Sequence, residues 1–356
     1  MLPVLFTIVI PKGFGLPVAI LVAVLVALAR AVAVARSGGR RISFGGALRS
    51  DGWFLGALAV AVAALYRLGL LSGEVRLPLH SYGLLLALAF LMGVVLAQRE
   101  ARRRGQDAER IGDLAFWVLL AAWLGSQVLY VLLNLDEFSG DRFFGDPPFA
   151  AIPRFLLVWR VGLVFYGGFI GATLTAFAYM RRHGMPFLAY ADTIIPSVAF
   201  GHFLGRLGCF CAGCCWGSRA DAHLPWAVRF PQGSNVYQAF ASGGPYSASF
   251  LSDDRTRTAL LHPAQLYEAF GELGIFLLLV LLVRPRKRFH GEVLATWLVA
   301  YAVLRGMVEL FRGDLARGVV LGLNSGQWIS VAILAVGAMV WLWSPRPESP
   351  EAPAPV

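Results

Sequence analysis

Apolar residues in this chain gather into long runs instead of alternating with polar ones. Runs of about 20 apolar residues, the length that carries an α-helix across a bilayer core, recur near 14–35, 53–72, 82–98, 114–134, 161–180, 188–208, 268–283, 292–311 and 326–344. The chain therefore reads as an all-α polytopic membrane protein with nine spans. Between the runs, basic clusters occur at Arg36, Arg40, Arg41 and Arg49, at Arg99, Arg102, Arg103, Arg104 and Arg110, at Arg181 and Arg182, and at Arg284, Arg286, Lys287 and Arg288. They fall in every second loop. Short loops rich in Lys and Arg stay in the cytoplasm. This places the N-terminus outside and the C-terminus inside, with segments 73–81, 135–160, 209–267 and 312–325 on the outer side.

Composition sharpens that picture. Of 356 residues, 58% are hydrophobic and 15% charged, too apolar a balance for a soluble fold of this length. The net charge of +10 is spread over inter-span loops, so it records topology and argues against a nucleic-acid partner. The Ala-rich end of the first run resembles a signal-peptide cleavage site, but cleavage would send Arg40 and Arg41 outward; a retained span is expected.

Three regions follow. Residues 1–76 hold two spans almost free of intramembrane polar groups and form an accessory hairpin. Residues 77–344 carry the polar residues, and the Pro- and Glu-rich residues 345–356 form a disordered cytoplasmic tail. Segment 209–267 has no span and contains Pro225, Pro231, Gly233, Gly243, Gly244 and Pro245, which suits a small extracytoplasmic cap of short strands or irregular loops. Segment 135–160, with Phe143, Phe144, Phe149, Phe155 and Trp159, suits a helix lying among headgroups. There is no internal repeat of the kind transporters leave.

Ionisable residues inside spans mark function by default. The sixth span carries Asp192, Pro196, His202 and Arg206. Arg206 stays charged and must meet either a phosphate, which fits its bidentate fork, or a carboxylate such as Glu268 or Glu309. Tyr166 beside Gly167, Gly168 and Gly171 allows a helix or a lipid to approach closely. His262, Gln265 and Glu268 recur every three residues and share a helix face, either as a cap or toward a ligand; Arg305 and Glu309 are spaced to pair along a helix. All four cysteines, Cys209, Cys211, Cys214 and Cys215, lie on the outer side. The Cys211/Cys214 spacing admits a disulfide, but no second Cys or His pair completes a zinc set. No metal is expected, and the thiols read as small apolar residues where the chain leaves the membrane.

Taken in order, Tyr82-Gly83, Tyr166-Gly167-Gly168, Gly205-Arg206-Leu207-Gly208-x-Phe210, Trp216-Gly217, Pro225-Trp226-Ala227, Phe230-Pro231, His262-Pro263-x-Gln265-Leu266-Tyr267-Glu268 and Arg305-x-x-x-Glu309-x-Phe311-Arg312 resemble the bacterial prolipoprotein diacylglyceryl transferases. The resemblance covers about residues 80–344. It implies a seven-helix core, matching the seven spans after residue 80, in a bacterial cytoplasmic (inner) membrane, with a site open to lipid near the outer leaflet and no cofactor. The implied reaction transfers the diacylglyceryl group of phosphatidylglycerol to the lipobox cysteine of a preprolipoprotein signal peptide, releasing glycerol phosphate. The implied catalytic residues are Arg206, His262, Tyr166 and Glu268. Substrate binding is implied for Arg206, Tyr82, Gly167, Gly168, Gly217, Gln265, Tyr267, Arg305, Glu309 and Arg312.

This chain departs from the family pattern at several positions. Tyr166 stands where many members have a histidine proposed as base. Cys209, Ala212 and Cys214 stand for Asn, Asn and Glu, Leu261 for an arginine, and Gln127 at a position often held by arginine. These departures keep two other classes in view: a related membrane enzyme with another acceptor, and a lipid-binding or transport protein without chemistry.

Overall fold

The computed structural model describes residues 4–10, 75–138, 162–242, 250–252, 254–313 and 319–344. The expected spans near 14–35 and 53–72, most of the aromatic segment 135–160 and the tail lie outside these residues. The chain divides into two compact units, one from Val4 to His80 and one from Ser81 onward.

The described part of the first unit is a two-stranded antiparallel sheet, β1 (Val4–Ile10) and β2 (Val75–His80), with Ile10 opposite Val75 and Val4 opposite His80. These strands were not expected from the apolar runs. Val4, Ile8, Val9 and Ile10 are β-branched and favour extended backbone, and Pro78, which lacks an N–H, is tolerated in so narrow a sheet.

The second unit is largely helical. Its helices are α1 (Ser81–Arg103), α2 (Ala108–Leu133), α3 (Phe165–Arg182), α4 (Phe187–Ala212), the short α5 (Asn235–Ala241), α6 (Ala264–Leu278), α7 (Glu292–Glu309) and α8 (Ser325–Trp343). A π turn and a 3-10 turn carry α6 on to Arg286. A helix therefore occurs at each of the seven spans expected after residue 80. Five of these, α1, α2, α4, α6 with its continuation and α8, are long and apolar enough to cross a membrane. Helices α3 and α7 have 18 residues each, about 27 Å at 1.5 Å per residue. Large apolar side chains such as Leu84, Leu91, Phe116, Trp117, Phe169 and Leu174 point outward, as lipid-facing surfaces require.

Helix ends are set by local chemistry. Asp107 accepts from Glu109 N and Arg110 N to start α2, Asn324 and Gln327 form a capping box on α8, and Gly213 in the left-handed region ends α4. Helix α1 packs on α4, α2 on α3, α4 on α6 and α7 on α8, while α4 and α6 both meet α7. At the α2–α3 contact the backbones of Gly125 and Gly167 approach too closely for a Cβ on either, the close approach that small residues permit in membranes.

The basic ends gather at one end of the bundle. Arg110 Nη1 donates to His183 O at 2.6 Å, and Arg284 pairs with Glu100. Asp192, fully buried, accepts from Gly291 N at 2.7 Å and Leu294 N at 3.0 Å and pairs with Lys287 at 2.6 Å. It caps the start of α7 from α4, so its place inside a span has a structural cause.

At the opposite end, residues 213–242, 250–252 and 254–262 fold into the cap. Its core is Phe230, Val236, Phe240 and Leu261, with Trp216 and Phe250 packed against it. Isolated β-bridges join Leu261 to both Arg219 and Val228 outside any strand, and α5 adds a helix not read from the sequence. Leu261 is fully buried here, which explains why this cap carries an apolar residue at that position.

Candidate active site

Three helices present ionisable side chains to one another in the half of the bundle next to the cap. His202 and Arg206 are four apart on α4, Glu268 and Glu272 four apart on α6, and Tyr301, Arg305 and Glu309 repeat at the same interval on α7. That spacing puts each set on one helix face.

Arg206 Nη2 pairs with Glu268 Oε1 at 2.7 Å, and its Nε donates to His202 Nε2 at 3.2 Å. Because Nε2 accepts, the hydrogen-bond pattern assigns the ring proton to Nδ1, which donates to Glu272 Oε1 at 2.8 Å. Glu268 is shared: its Oε2 lies 3.9 Å from Arg305 Nη1, and Arg305 Nη2 pairs with Glu309 Oε2 at 2.6 Å. The Glu309 carboxylate lies against Gly326, in the first turn of α8, where a Cβ would meet it at 2.6 Å; a helix N-terminus favours a negative charge. Glu268, Glu272 and Glu309 are all buried.

The carboxylate partner of Arg206 is thus Glu268, one of the two anticipated from the sequence, and Arg305 and Glu309 pair as their spacing implies. The Arg206 side chain nevertheless remains 17% exposed. Its Nε and Nη2 are engaged, while Nη1 meets no described hydrogen-bond or ion-pair partner. Nη1 is thus the guanidinium nitrogen to which an anion would bind most directly.

The remaining sequence candidates fall into separate groups. Tyr82, at the start of α1, lies against Gly208, where a Cβ would sit 3.1 Å from its ring. Gln265, buried, donates from Nε2 to Cys214 O at 2.7 Å, and its buried Oε1 has no hydrogen-bond partner among the described residues. The His262 ring lies 3.1 Å from the Tyr267 hydroxyl, which also accepts from Trp226 Nε1 at 2.9 Å, and Phe311 packs against both rings. Gly217 N donates to His262 O, and Gly217 bridges to Arg312. A side chain at Gly217 would strike His262 and Phe311, so this glycine joins the cap to the start of α6 and the end of α7. Gly167 and Gly168 sit in the α2–α3 contact, and Tyr166 is half exposed beside Phe165. Of His262, Tyr166 and Glu268, the implied catalytic residues that could take a proton, Glu268 alone touches Arg206 among the described contacts.

His202, Glu272 and Tyr301 belong to this constellation without having been assigned a role from the sequence. A signal was present: His202 lies four before Arg206 and Glu272 four after Glu268, so each extends a face already marked by an intramembrane charge.

The cysteines form a second feature. Gly213 takes φ 66° and Cys215 φ 57°, and these two left-handed residues fold Cys214 and Cys215 back onto Cys209 at the end of α4. The three sulfurs lie within 4.8 Å of one another, each half-buried. The spacing pair Cys211/Cys214 is not the grouping that forms. Hydrogen bonds from Cys209 and Cys214 hold the Cys215 thiol well below its usual range, with Arg312 and Arg206 acting in the same direction, while the bonds to Cys209 and Cys215 push Cys214 up.

The family model for prolipoprotein diacylglyceryl transferase matches residues 70–343. The chain belongs to the prolipoprotein diacylglyceryl transferase family. A phosphatidylglycerol–prolipoprotein diacylglyceryl transferase of Erwinia tasmaniensis is 33% identical over 277 residues, covering 76% of this chain and 90% of the relative. One from Ralstonia pickettii is 30% identical over 290 residues, with 76% and 91% covered. One from Clostridium tetani is 28% identical over 265 residues, with 74% and 93% covered. Family membership and the five long apolar helices make this a multi-pass protein of a bacterial inner membrane. The ion-pair network lies wholly inside the family match, and so does the cysteine cluster.

Proposed function

We infer that this chain transfers the diacylglyceryl group of phosphatidylglycerol to the lipobox cysteine thiol of prolipoproteins. The carrying observation is Arg206: a guanidinium on a largely buried side chain, positioned by Glu268 and His202, whose Nη1 has no described partner. In this reading the headgroup phosphate sits on Nη1, and Arg305 adds positive potential from α7. The acceptor thiolate attacks the glycerol carbon bonded to the phosphate oxygen, that C–O bond breaks, and glycerol phosphate departs on Arg206. Charge developing on the leaving group then meets a fixed cation in a low-dielectric site, where such stabilisation counts most.

The same reading takes seven helices after residue 80 as membrane crossings, with the Arg206 end outward, the arginine-rich end in the cytoplasm, and the N-terminus outside. Residues 1–76 act as an accessory hairpin. The experiment is a transfer assay with purified protein, phosphatidylglycerol and a lipobox peptide, reading the thioether by mass. Arg206→Ala is expected to reduce turnover on the order of 100-fold or more. Arg206→Lys is also expected to be poorly active, because an ammonium cannot reproduce the fork. Absence of thioether from the unaltered protein, or full turnover in Arg206→Ala, would overturn the reading.

A further inference from the structure

We propose that Cys209, Cys214 and Cys215 together bind a zinc ion whose fourth coordination position receives the thiol of the acceptor cysteine. This rests on the transferase reading above and supplies what that site lacks. Among the described contacts Glu268 is held by two arginines, His262 is engaged with Tyr267, and the Tyr166 ring packs against Phe165 with no contact to Arg206. None of the three is an open base beside Arg206.

The geometry fits the ion. A zinc–sulfur bond of about 2.3 Å in a tetrahedral site separates sulfurs by roughly 3.8 Å, and the three thiols already lie within 4.8 Å. Two consecutive features of the chain bring them there, the left-handed turn at Gly213 and the left-handed Cys215. Buried Gln265 then fixes the loop by donating to Cys214 O. A non-glycine residue held with φ 57° between two other packed residues is the kind of local cost that persists at functional sites. Thiolate sets select zinc and other soft ions. Three protein ligands leave the open position of a catalytic zinc site, whereas a structural site is closed by four. Three thiolates around Zn(II) carry one net negative charge, and Arg312 is a cationic neighbour of Cys215.

Placement also fits. Cys209 follows Arg206 by three residues on the same helix, a rise of about 4.5 Å. A thiol entering the open position loses its proton to solvent on coordination. Its sulfur then forms the S–C bond to the glycerol carbon as the C–O bond breaks, with the electron pair leaving on the phosphate held by Arg206. The thioether product is neutral and a weaker ligand than the thiolate, so the site reopens. No oxidant or reductant enters the balance.

The test uses the full chain in detergent, reduced, stripped with a chelator and titrated with Co(II) or Zn(II). One ion per chain is expected, with sulfur-to-cobalt charge-transfer absorption. Cys209→Ser, Cys214→Ser and Cys215→Ser should each weaken binding on the order of 100-fold, while Cys211→Ser should leave it unchanged and serve as the control for folding. On the unaltered protein, a lipobox peptide should shift the cobalt spectrum, and the same peptide with serine for its cysteine should not. Any of three results overturns the proposal: no stoichiometric ion after reduction, equal dependence on Cys211, or a spectrum indifferent to the cysteine peptide. Full thioether formation by the triple serine variant in chelator would also sink the zinc site and leave the transferase reading standing. A peptide-sensitive cobalt site in a protein that never forms the thioether would do the reverse.

Discussion

Glu268 is the residue on which the charged network turns, because its two oxygens serve Arg206 and Arg305 at once and its side chain is 1% exposed. Removing one member of a buried ion-pair set leaves uncompensated charge and costs about 3–5 kcal/mol, and a phosphate-binding group displaced by about 1 Å can lose about 100-fold in rate. Glu268→Gln is therefore expected to lower the thermal midpoint in detergent and to reduce turnover by about two orders of magnitude. Unchanged turnover would show that Arg206 is not positioned through this carboxylate. In the cap, Asp254 poses a different residue-scale question. Ser252 Oγ at 2.6 Å and Thr256 Oγ1 at 2.7 Å donate to its carboxyl and hold it down at about 2, against about 3.9 for a free aspartate. A depressed folded-state value means the contribution is complete above the unfolded value and disappears as pH falls through about 2. Asp254→Asn should thus reduce protection of the Thr256 amide, which donates to Asp254 at 3.1 Å, near neutral pH. Well below pH 2, where the Asp254 carboxyl is protonated, the two proteins should exchange alike.

At the scale of elements, what the sequence discloses depends on whether the signal is periodic or conformational. Apolar runs marked every long helix after residue 80 but not the short α5 of the cap, because lipid exposure imposes one composition along a whole membrane run. Arg206, Glu268, Arg305 and Glu309 stood out as charges in those runs, and their pairing follows from spacing once the helices are neighbours. The cysteine cluster was not legible: it needs Cys215 in a conformation an L-residue seldom adopts, and the C-x-x-C spacing pointed to Cys211. Strand β1 was hidden for a related reason, since a short β-branched segment beside a long apolar run reads as part of its flank. The glycines divide in the same way, by what surrounds them and not by their motif. A Cβ on Gly167 would meet Leu129 Cβ at 2.6 Å and Gly125 C at 2.9 Å, whereas one on Gly274 meets nothing within 4 Å. Gly167→Ala should separate α2 from α3 and cost about 1–3 kcal/mol. Gly274→Ala, in the interior of α6, should be neutral or stabilising by up to about 1 kcal/mol. Thermal unfolding in detergent of the two single variants reads the contrast, and equal midpoints would contradict the close α2–α3 approach.

For the whole molecule, the open question is what the first unit contributes, and the register of its strands offers a clean way to ask. Every residue of the ion-pair network, the cysteine cluster and the cap lies after Ser81, and the family match begins at residue 70. Simple deletion of residues 1–76 would strip β2 of its partner and leave an exposed edge. Ile10 and Val75, however, stand directly opposite in an antiparallel pair, so residues 11–74 can be excised and the strands rejoined by an Asn-Gly type I′ turn. The excised segment contains both expected spans. If both expected spans cross, an even number of crossings is removed and the basic clusters from Arg99 onward keep their alternation, so the orientation of the remaining helices is preserved. If residues 1–76 serve only as an accessory hairpin, the shortened protein should insert, bind phosphatidylglycerol and form thioether within about two-fold of the whole chain, a difference below 0.5 kcal/mol. A loss on the order of 100-fold, with the protein still inserted and folded by its thermal midpoint, would assign the hairpin a part in binding one of the two substrates.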